Sequence, residues 1–476
     1  MHAEQAYLFR HALVREAAYQ LQLPSHRARL HGHALSIIES LFGGPPPAPA
    51  TDAWGFRRFE PHATDAVFAE LAEHVCLARR RNKKSSNRLL PQEKLYLWRA
   101  AQWCEKSYQP QESLRLWQRL AELSQGSDKL QVLCSAGIQA CFSGQPGLGE
   151  SLFFEALQAA VAADASSEEA LARASLGNIY FNTGRIDLAE QTYAQALASQ
   201  RKIGNRRAEG NALANLATVF SATGRVELAQ LTFEQALACH REVRNRGAEG
   251  IAMGGLATQL HLTGRLADAE KTYQHALEIS REAGDRRYQA VLLDNLASLF
   301  SDTGRHEPAE RTYEQALAVA RGVGDRRQEG VTLGNLAGLF ADTKRFEAAE
   351  RTFELALAIH REVGNRRSEG IALGNLARVH ASVGHLELAE QGYLQALAIH
   401  RETANRRIEG SDLCSYALCL LAMGQHEHSR ACWQQGAAIL AQVNDLRLLK
   451  DKRESMLEAC AKAGTPALDG QPTAIH

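Results

Sequence analysis

The sequence repeats itself at a fixed step of forty residues through its second half. One column of the repeat is a triplet such as Asn335-Leu336-Ala337, a second holds alanine and a third holds an aromatic residue. The matching positions are Asn215-Leu216-Ala217, Gly255-Leu256-Ala257, Asn295-Leu296-Ala297, Asn375-Leu376-Ala377 and Ser415-Tyr416-Ala417; Ala229, Ala269, Ala309, Ala349 and Ala389; and Phe233, Tyr273, Tyr313, Phe353 and Tyr393. A fixed period of about 20–50 residues predicts stacked repeats, in which each unit contacts only its neighbours.

The apolar residues of each unit predict two amphipathic helices. In the first half they recur at i, i+3, i+4 and i+7, and in the second half at i, i+4, i+7 and i+8, with Gly224 between the halves. These positions are Leu213, Leu216, Ala217 and Phe220, then Ala229, Phe233, Ala236 and Leu237. Neither helix buries its apolar face alone, so we expect an all-α solenoid of stacked helix-turn-helix repeats with a divergent helical N-terminal region.

This spacing of leucine, aromatic and alanine positions resembles that of the tetratricopeptide repeat. The unit is longer than the usual repeat of about 34 residues, and the longer form resembles the repeats of kinesin light chains and of the Leu-Gly-Asn-repeat spindle adaptors. In those families Gly-Asp-Arg joins successive units, as Gly284-Asp285-Arg286 and Gly324-Asp325-Arg326 do here. The resemblance covers residues 127–446 and implies a right-handed α-solenoid that binds protein or peptide partners.

A second resemblance concerns the beginning of the chain. The strings from Phe9 to Tyr19 and from Leu23 to His31 are similar to the end of the nucleotide-binding module of bacterial STAND-type signalling ATPases, which precedes a tetratricopeptide array. The sequence has no Gly-x-x-x-x-Gly-Lys-Ser/Thr motif to cradle phosphates. Two interpretations stay open: the chain is a late segment of such a system, or this segment is retained for docking.

The pattern along the chain predicts five regions. They are a helical segment resembling the tail of a STAND ATPase module (1–42), a Pro/Gly-rich linker (43–60), a divergent helical capping region (61–126), the repeat array (127–446), and a C-terminal capping helix with a disordered tail (447–476). Asn205, Asp285, Asp325 and Asn365 stand where they would cap the helix that follows each junction.

Charge and motif content argue against several functional classes. Acidic and basic residues balance at 54 each, so neither nucleic acid nor a membrane surface is an expected partner. The chain lacks a signal-peptide pattern and a long apolar run, which favours a cytoplasmic protein. We find no catalytic motif, no metal-ligand spacing and no phosphate loop, so we expect a protein that is not an enzyme and has no cofactor.

The asparagine column is the first candidate for partner binding. In the family that the repeat resembles, the matching asparagine lines the concave groove and bonds the backbone of an extended peptide, and an amide offers both donor and acceptor for this. The candidate residues are Asn215, Asn295, Asn335 and Asn375, with Arg378 on the same stretch. In the alternative interpretation these asparagines bond only the adjacent turn.

An arginine ladder is the second candidate. Arg241, Arg281, Arg321, Arg361 and Arg401 recur at the forty-residue step and could hold an acidic or phosphorylated partner through guanidinium forks. In the alternative, which the zero net charge supports, they pair with glutamates of their own chain. His240, His360 and His400 form a further column, which we assign to the edge of the core rather than to a metal site.

The sequence therefore predicts a non-catalytic protein-interaction scaffold that binds a partner peptide or protein in the groove of the array, in bacterial signalling or regulation. The alternative is the sensor or regulatory part of a nucleotide-dependent STAND ATPase or kinase whose catalytic region is absent from this chain.

Overall fold

The computed structural model describes residues 22–49, 59–79, 83–107, 109–403, 405–443 and 445–469. Their regular structure is helical, with no strand in those ranges. Contacts divide the chain into two compact units, residues 1–175 and 176–476. The string from Phe9 to Tyr19 lies outside the described residues, so the first part of the STAND resemblance stays a prediction.

The first unit consists of helices, and the forty-residue step of the repeat begins within it, at Gly126–Phe142 and Pro146–Ala162. Its helices are α1 Pro24–Leu41, a 3-10 helix Ala63–Val67, α2 Phe68–Arg79, α3 Lys83–Lys106, α4 Pro110–Leu123, α5 Gly126–Phe142 and α6 Pro146–Ala162, while α7 Ser166–Asn182 contains the boundary. Large apolar side chains such as Phe68 and Trp117 form its core. Arg99 is buried there as well, where its guanidinium pairs with Asp65 at 3.0 Å and lies over the Phe68 ring.

The second unit contains the regular helix pairs. After α8 Ile186–Ile203 come α9 Arg206–Ala222, α10 Val226–Glu242, α11 Arg246–Leu262, α12 Leu266–Glu282, α13 Arg286–Asp302, α14 His306–Gly322, α15 Arg326–Asp342, α16 Phe346–Glu362, α17 Arg366–Ser382, α18 Leu386–Glu402, α19 Arg406–Ala422, α20 His426–Gln442 and α21 Leu446–Ala463. The alanine and aromatic columns are buried throughout. Small residues let the two axes approach, and the aromatics fill the space between pairs.

The helix pairs stack into an all-α solenoid, as the repeat predicted. Each second helix packs on the first helix of the next pair, and the first helices of neighbouring pairs also pack directly on one another, for example α13 on α15. The first helices therefore form what we call the inner face of the second unit. The right-handed sense of the solenoid stays a prediction.

The junction residues cap their helices as predicted. Oδ1 of Asn205 accepts a hydrogen bond from the Ala208 amide at 3.1 Å, and Asp325 accepts one from the Gln328 amide at 3.0 Å. Asp285 and Asn365 do the same for α13 and α17. Each cap satisfies one of the amide groups that a helix start leaves without a partner.

The segment after α21 differs from the predicted disordered tail over its described part, residues 464–469. Ala467 and Leu468 are buried against Met456 and Cys460. The carboxylate of Asp469 pairs with Arg453 at 3.0 Å. This short segment therefore folds back over the apolar stripe of the last helix.

The histidine column lies in the core, where each ring packs on a glycine. The rings of His240, His360 and His400 lie against Gly210, Gly330 and Gly370 of the first helix in the same pair. Burial lowers the pKa of His360 to about 4, so this ring is neutral near pH 7. In the α13–α14 pair both corresponding positions hold alanine, Ala290 and Ala320.

Gly330→Ala is expected to destabilise the array by about 1–3 kcal/mol. The added Cβ would lie 2.8 Å from the His360 ring, closer than packed atoms approach. Adding His360→Ala should recover most of the loss, because the double variant recreates the Ala290 and Ala320 pair. Chemical denaturation of both single variants and the double variant measures this coupling.

Gly338→Ala is the matched control for that experiment. No atom lies within 4 Å of the Cβ that it would add, so replacing a helical glycine there should stabilise by about 0.5–1 kcal/mol. A Gly330→Ala variant that gained stability as Gly338→Ala does would contradict the role assigned to the histidine ring.

Candidate functional site

The asparagine column lies on the inner face of the second unit. Asn215, Asn295 and Asn375 project from the middle of α9, α13 and α17, and each is half-buried. Within the described part of the chain their side-chain amides have no hydrogen-bond partner. Three amides thus remain available along the inner face.

Asn335 differs from the other three. Its Nδ2 donates to Oδ2 of Asp294 at 2.9 Å, across neighbouring first helices. Asp294 occupies a column that otherwise holds alanine, glycine or cysteine, and it is 5 % exposed. Burial raises the pKa of this carboxyl to about 6, although hydrogen bonds from Thr332 and Asn335 act in the opposite direction. Its Oδ1 has no protein partner.

Further charged groups surround this part of the inner face. Nε2 of His261 lies 2.9 Å from Oδ2 of Asp302. Arg378, which the sequence placed with the asparagines, is exposed and lies 3.6 Å from Asp342. Burial raises the pKa of the Tyr313 hydroxyl, and the carboxylates of Asp294, Asp302 and Asp342 add to that effect. Polar and acidic groups therefore dominate the middle of the inner face.

Two glycines on α15 leave open space beside these groups. No atom lies within 4 Å of the Cβ position at either Gly334 or Gly338. At Gly374 in the next pair, by contrast, a Cβ would lie 2.1 Å from Oδ2 of Asp412. The inner face is thus open over α15 and filled over α17.

The last pair adds a second polar group of residues. Nε2 of His400 lies 3.1 Å from Asp412, and Nζ of Lys452 donates to Oγ of Ser415 at 2.6 Å. Burial lowers the pKa of the Lys452 ammonium group. Neither Asp412 nor Lys452 was expected from the sequence, because each lies in a divergent repeat with no counterpart in the other units.

Most of the arginine ladder is paired within the chain. Nε of each arginine bonds the carboxylate eight residues further on, at 2.7–3.0 Å, and that glutamate is buried. The pairs are Arg201–Glu209, Arg241–Glu249, Arg321–Glu329, Arg361–Glu369 and Arg401–Glu409. Burial raises the pKa of Glu209, but its two arginine partners outweigh this and lower the pKa overall. Arg281 has no such glutamate.

Two residues that the sequence interpretation missed could have been found by comparing the repeats. Asp294 is the only charged residue in its column, and Gln289 stands where the other clear junctions have a buried glutamate. Both residues differ from the residue types that recur at the equivalent positions of the other repeats. Searching only for recurring residues therefore overlooked them.

A cluster of metal ligands or a membrane-spanning helix would point to other functions. Nowhere in the described ranges do three or more His, Cys, Asp or Glu side chains come together as metal ligands. In the same ranges no helix is both long enough and apolar enough to cross a membrane.

Comparison with protein families finds the tetratricopeptide repeat, which matches residues 168–242, 249–322 and 328–402. These stretches lie within the regular helix pairs. No sequence among the curated proteins matches the chain significantly.

Solved structures share the fold at low sequence identity. A Rap protein complexed with competence and sporulation factor has a TM-score of 0.54 and 12% identity, over 74% of this chain and 99% of that one. The Rap conjugation gene regulator of plasmid pLS20, in complex with a Phr peptide, has a TM-score of 0.51 and 15% identity, over 64% of this chain and 87% of that one. A STAND protein with a tetratricopeptide repeat sensor from Pyrococcus horikoshii has a TM-score of 0.49 and 15% identity, over 92% of this chain and 67% of that one. Residues 168–402 of this chain are an array of tetratricopeptide repeats.

Proposed function

We propose that the array is a non-catalytic interaction scaffold that binds an extended segment of a partner protein or peptide along its inner face. The observation that carries this proposal is the set of three half-buried asparagines, Asn215, Asn295 and Asn375, whose amides are unbonded within the described chain. Asparagine in a helix interior costs roughly 0.5 kcal/mol relative to alanine. No bond within the described chain offsets that cost.

The spacing of the asparagines suits an extended chain. Neighbouring packed helices lie about 8–10 Å apart, and an extended chain advances about 3.3 Å per residue. Successive first helices would therefore meet a bound chain at about every third residue, and the three free asparagines, which lie on alternate first helices, at about every sixth. Each amide offers one donor and one acceptor to the backbone of that chain.

The open space over α15 gives the bound chain room to approach. Gly334 and Gly338 carry no side chain, and no atom lies within 4 Å of the Cβ position at either one. Two structures of similar fold are complexes, one with competence and sporulation factor and one with a Phr peptide, so peptide binding is compatible with this fold. We expect Arg378 to lie at the edge of the bound segment.

A role in bacterial signalling is the further part of this proposal. It rests on the resemblance of residues 9–31 to the end of a STAND module, of which only residues 22–31 are described. The alternative, a sensor region acting with a nucleotide-binding region, rests on the same resemblance. In both interpretations the nucleotide-binding region is absent from this chain, so equilibrium ATP binding to the purified chain should detect none, and ATP binding would contradict both.

The triple variant Asn215→Ala, Asn295→Ala and Asn375→Ala is expected to weaken partner binding by about 0.5–1.5 kcal/mol for each lost hydrogen bond. The melting temperature should stay the same or rise slightly, because alanine is the better helix former. Partners are captured with the wild-type array and with the variant, identified by mass spectrometry, and then titrated by calorimetry.

Asn335→Ala serves as the matched control. It removes the same group from the same column, but the bond that it breaks is the internal one to Asp294. We expect it to change stability more than affinity. If the triple variant captured and bound every partner normally, the inner-face proposal would be wrong.

A further inference from the structure

The junctions between helix pairs share a network of two arginines and two glutamates. At the α16–α17 junction, Arg361 and Arg366 both bond the buried carboxylate of Glu369, at 2.9 and 2.6 Å. Arg366 also reaches Glu402 at the end of α18, at 2.8 Å. Equivalent networks stand at Arg206, Arg246 and Arg326. In each network two negative charges face two guanidinium groups.

At the α12–α13 junction both glutamates are replaced. Gln289 stands at the position of the buried carboxylate and Gly322 at the position of the second one. The amide of Gln289 donates to the Ser280 carbonyl at 3.2 Å. Arg281 and Arg286 remain, both are exposed, and neither has a carboxylate partner in the described part of the chain.

The side chain of Arg286 points in the same direction as the equivalent arginines of the other junctions. Its Nη2 lies 3.7 Å from the Cβ position of Gly322, so it still points at the end of α14, where the other units hold a glutamate. The nearby acidic groups are engaged elsewhere: Glu282 pairs with Arg246 at 2.5 Å, and Asp285 caps α13. Asp325 pairs with Arg287. Two guanidinium groups are thus left without a carboxylate bonded to them in the described part of the chain.

A cleft of about 280 Å³ begins beside Arg281. Leu277, Leu293 and Leu296 supply its apolar lining, and Glu278 is the acidic residue on its wall. Residues of α12, α13 and α14 line the cleft. A ligand could therefore place a charged group at the arginines and an apolar group in the cleft.

We propose that Arg281, Arg286 and the adjoining cleft form a binding site for a phosphorylated side chain of a partner protein. A phosphoryl group carries about −1.5 to −2 charges near pH 7, which matches the two carboxylates that this junction lacks. Its oxygens accept paired hydrogen bonds from guanidinium forks. A single carboxylate would replace only half of the missing charge. This site uses none of the inner-face asparagines and does not depend on binding there.

Phenyl phosphate is a suitable probe, because its ring fits an apolar cleft beside the charged group. We expect saturable binding to the wild-type chain by calorimetry, and binding of benzoate about tenfold weaker or worse. Arg281→Gln with Arg286→Gln should weaken phenyl phosphate binding at least about tenfold, since hydrogen bonds to charged groups are lost.

The more informative variant restores the network: Gln289→Glu with Gly322→Glu. Four other junctions hold these glutamates, and space for a Cβ exists at Gly322, so this variant should fold with an equal or higher melting temperature. It should also lose phenyl phosphate binding about tenfold or more, because the new carboxylates occupy both arginines.

Lys271→Gln with Arg311→Gln is the matched control. It removes two exposed positive charges from the same two helices, α12 and α14, without touching the site, and binding should stay within about twofold of wild type. The proposal is overturned if phenyl phosphate does not bind the wild-type chain, if the restored variant binds it normally, or if the control loses binding equally. Benzoate binding as tight as that of phenyl phosphate would overturn the assignment to a phosphoryl group.

Discussion

Removing residues 287–326 is expected to leave a folded array that is shorter by one helix pair. The deletion joins Arg286 to Arg327, two residues separated by one repeat plus a single step, so every column of the repeat stays in register. Asp285 then caps α15 in place of Asp325, and α12 packs on α15 through the same alanine, leucine and aromatic columns. Each pair contacts only its neighbours, so the rest of the array is unaffected.

A twenty-residue deletion, of residues 287–306, should have a much larger effect. It removes α13 and leaves α14 without the first helix of its pair, which exposes the faces of α12 and α14 that α13 covers. Far-UV circular dichroism and thermal melts of the two deletions provide the comparison. The forty-residue deletion should keep the helix content per residue and melt cooperatively, and the shorter deletion should do neither. Similar behaviour of both proteins would contradict the repeat boundaries.

The fold could be predicted from the sequence because its signal recurs. An apolar helix face, an alanine at the helix crossing and a capping residue recur along the array. A pattern that arose by chance in one unit would not recur in the others. The N-cap at Asp325 could be predicted because it joins two residues only three positions apart. The packing of residues 464–469 could not, because that segment covers an end of the array and has no counterpart in any repeat.

The candidate sites were less predictable because their contacts cross between units. The column identified Asn335, yet its bond to Asp294 joins residues 41 positions apart. Only the structure separates this asparagine from Asn295 and Asn375. The arginine ladder was likewise visible as a column, with internal pairing as one of two interpretations. Arg281 departs from that pairing through Gln289, and Arg286 lacks its second partner through Gly322; both substitutions become meaningful only once the bonds of the other junctions are known.

Asp294→Asn is expected to stabilise the array against unfolding above about pH 6 and to change that stability little near pH 4. The folded protein raises the pKa of this carboxyl from 3.8 to about 6, chiefly through burial. That difference corresponds to about 3 kcal/mol in favour of the protonated form. The folded state therefore binds the proton more tightly than the unfolded chain, and wild-type stability falls as the pH rises from about 4 to about 6.

Asparagine avoids that loss because it carries no charge at any pH, while its carbonyl oxygen still accepts the hydrogen bonds from Thr332 and Asn335. Urea denaturation at about pH 4 and about pH 8 measures the effect. The advantage of the variant at the higher pH should reach about 1–3 kcal/mol. Asp302→Asn is the control, because that carboxylate lies on the same helix but its side chain is 62% exposed. An equal gain in stability for Asp294→Asn at both pH values would show that ionisation of this buried carboxylate does not cause the loss of stability. A gain for Asp302→Asn as large as that for Asp294→Asn would assign the effect to the general charge of the inner face.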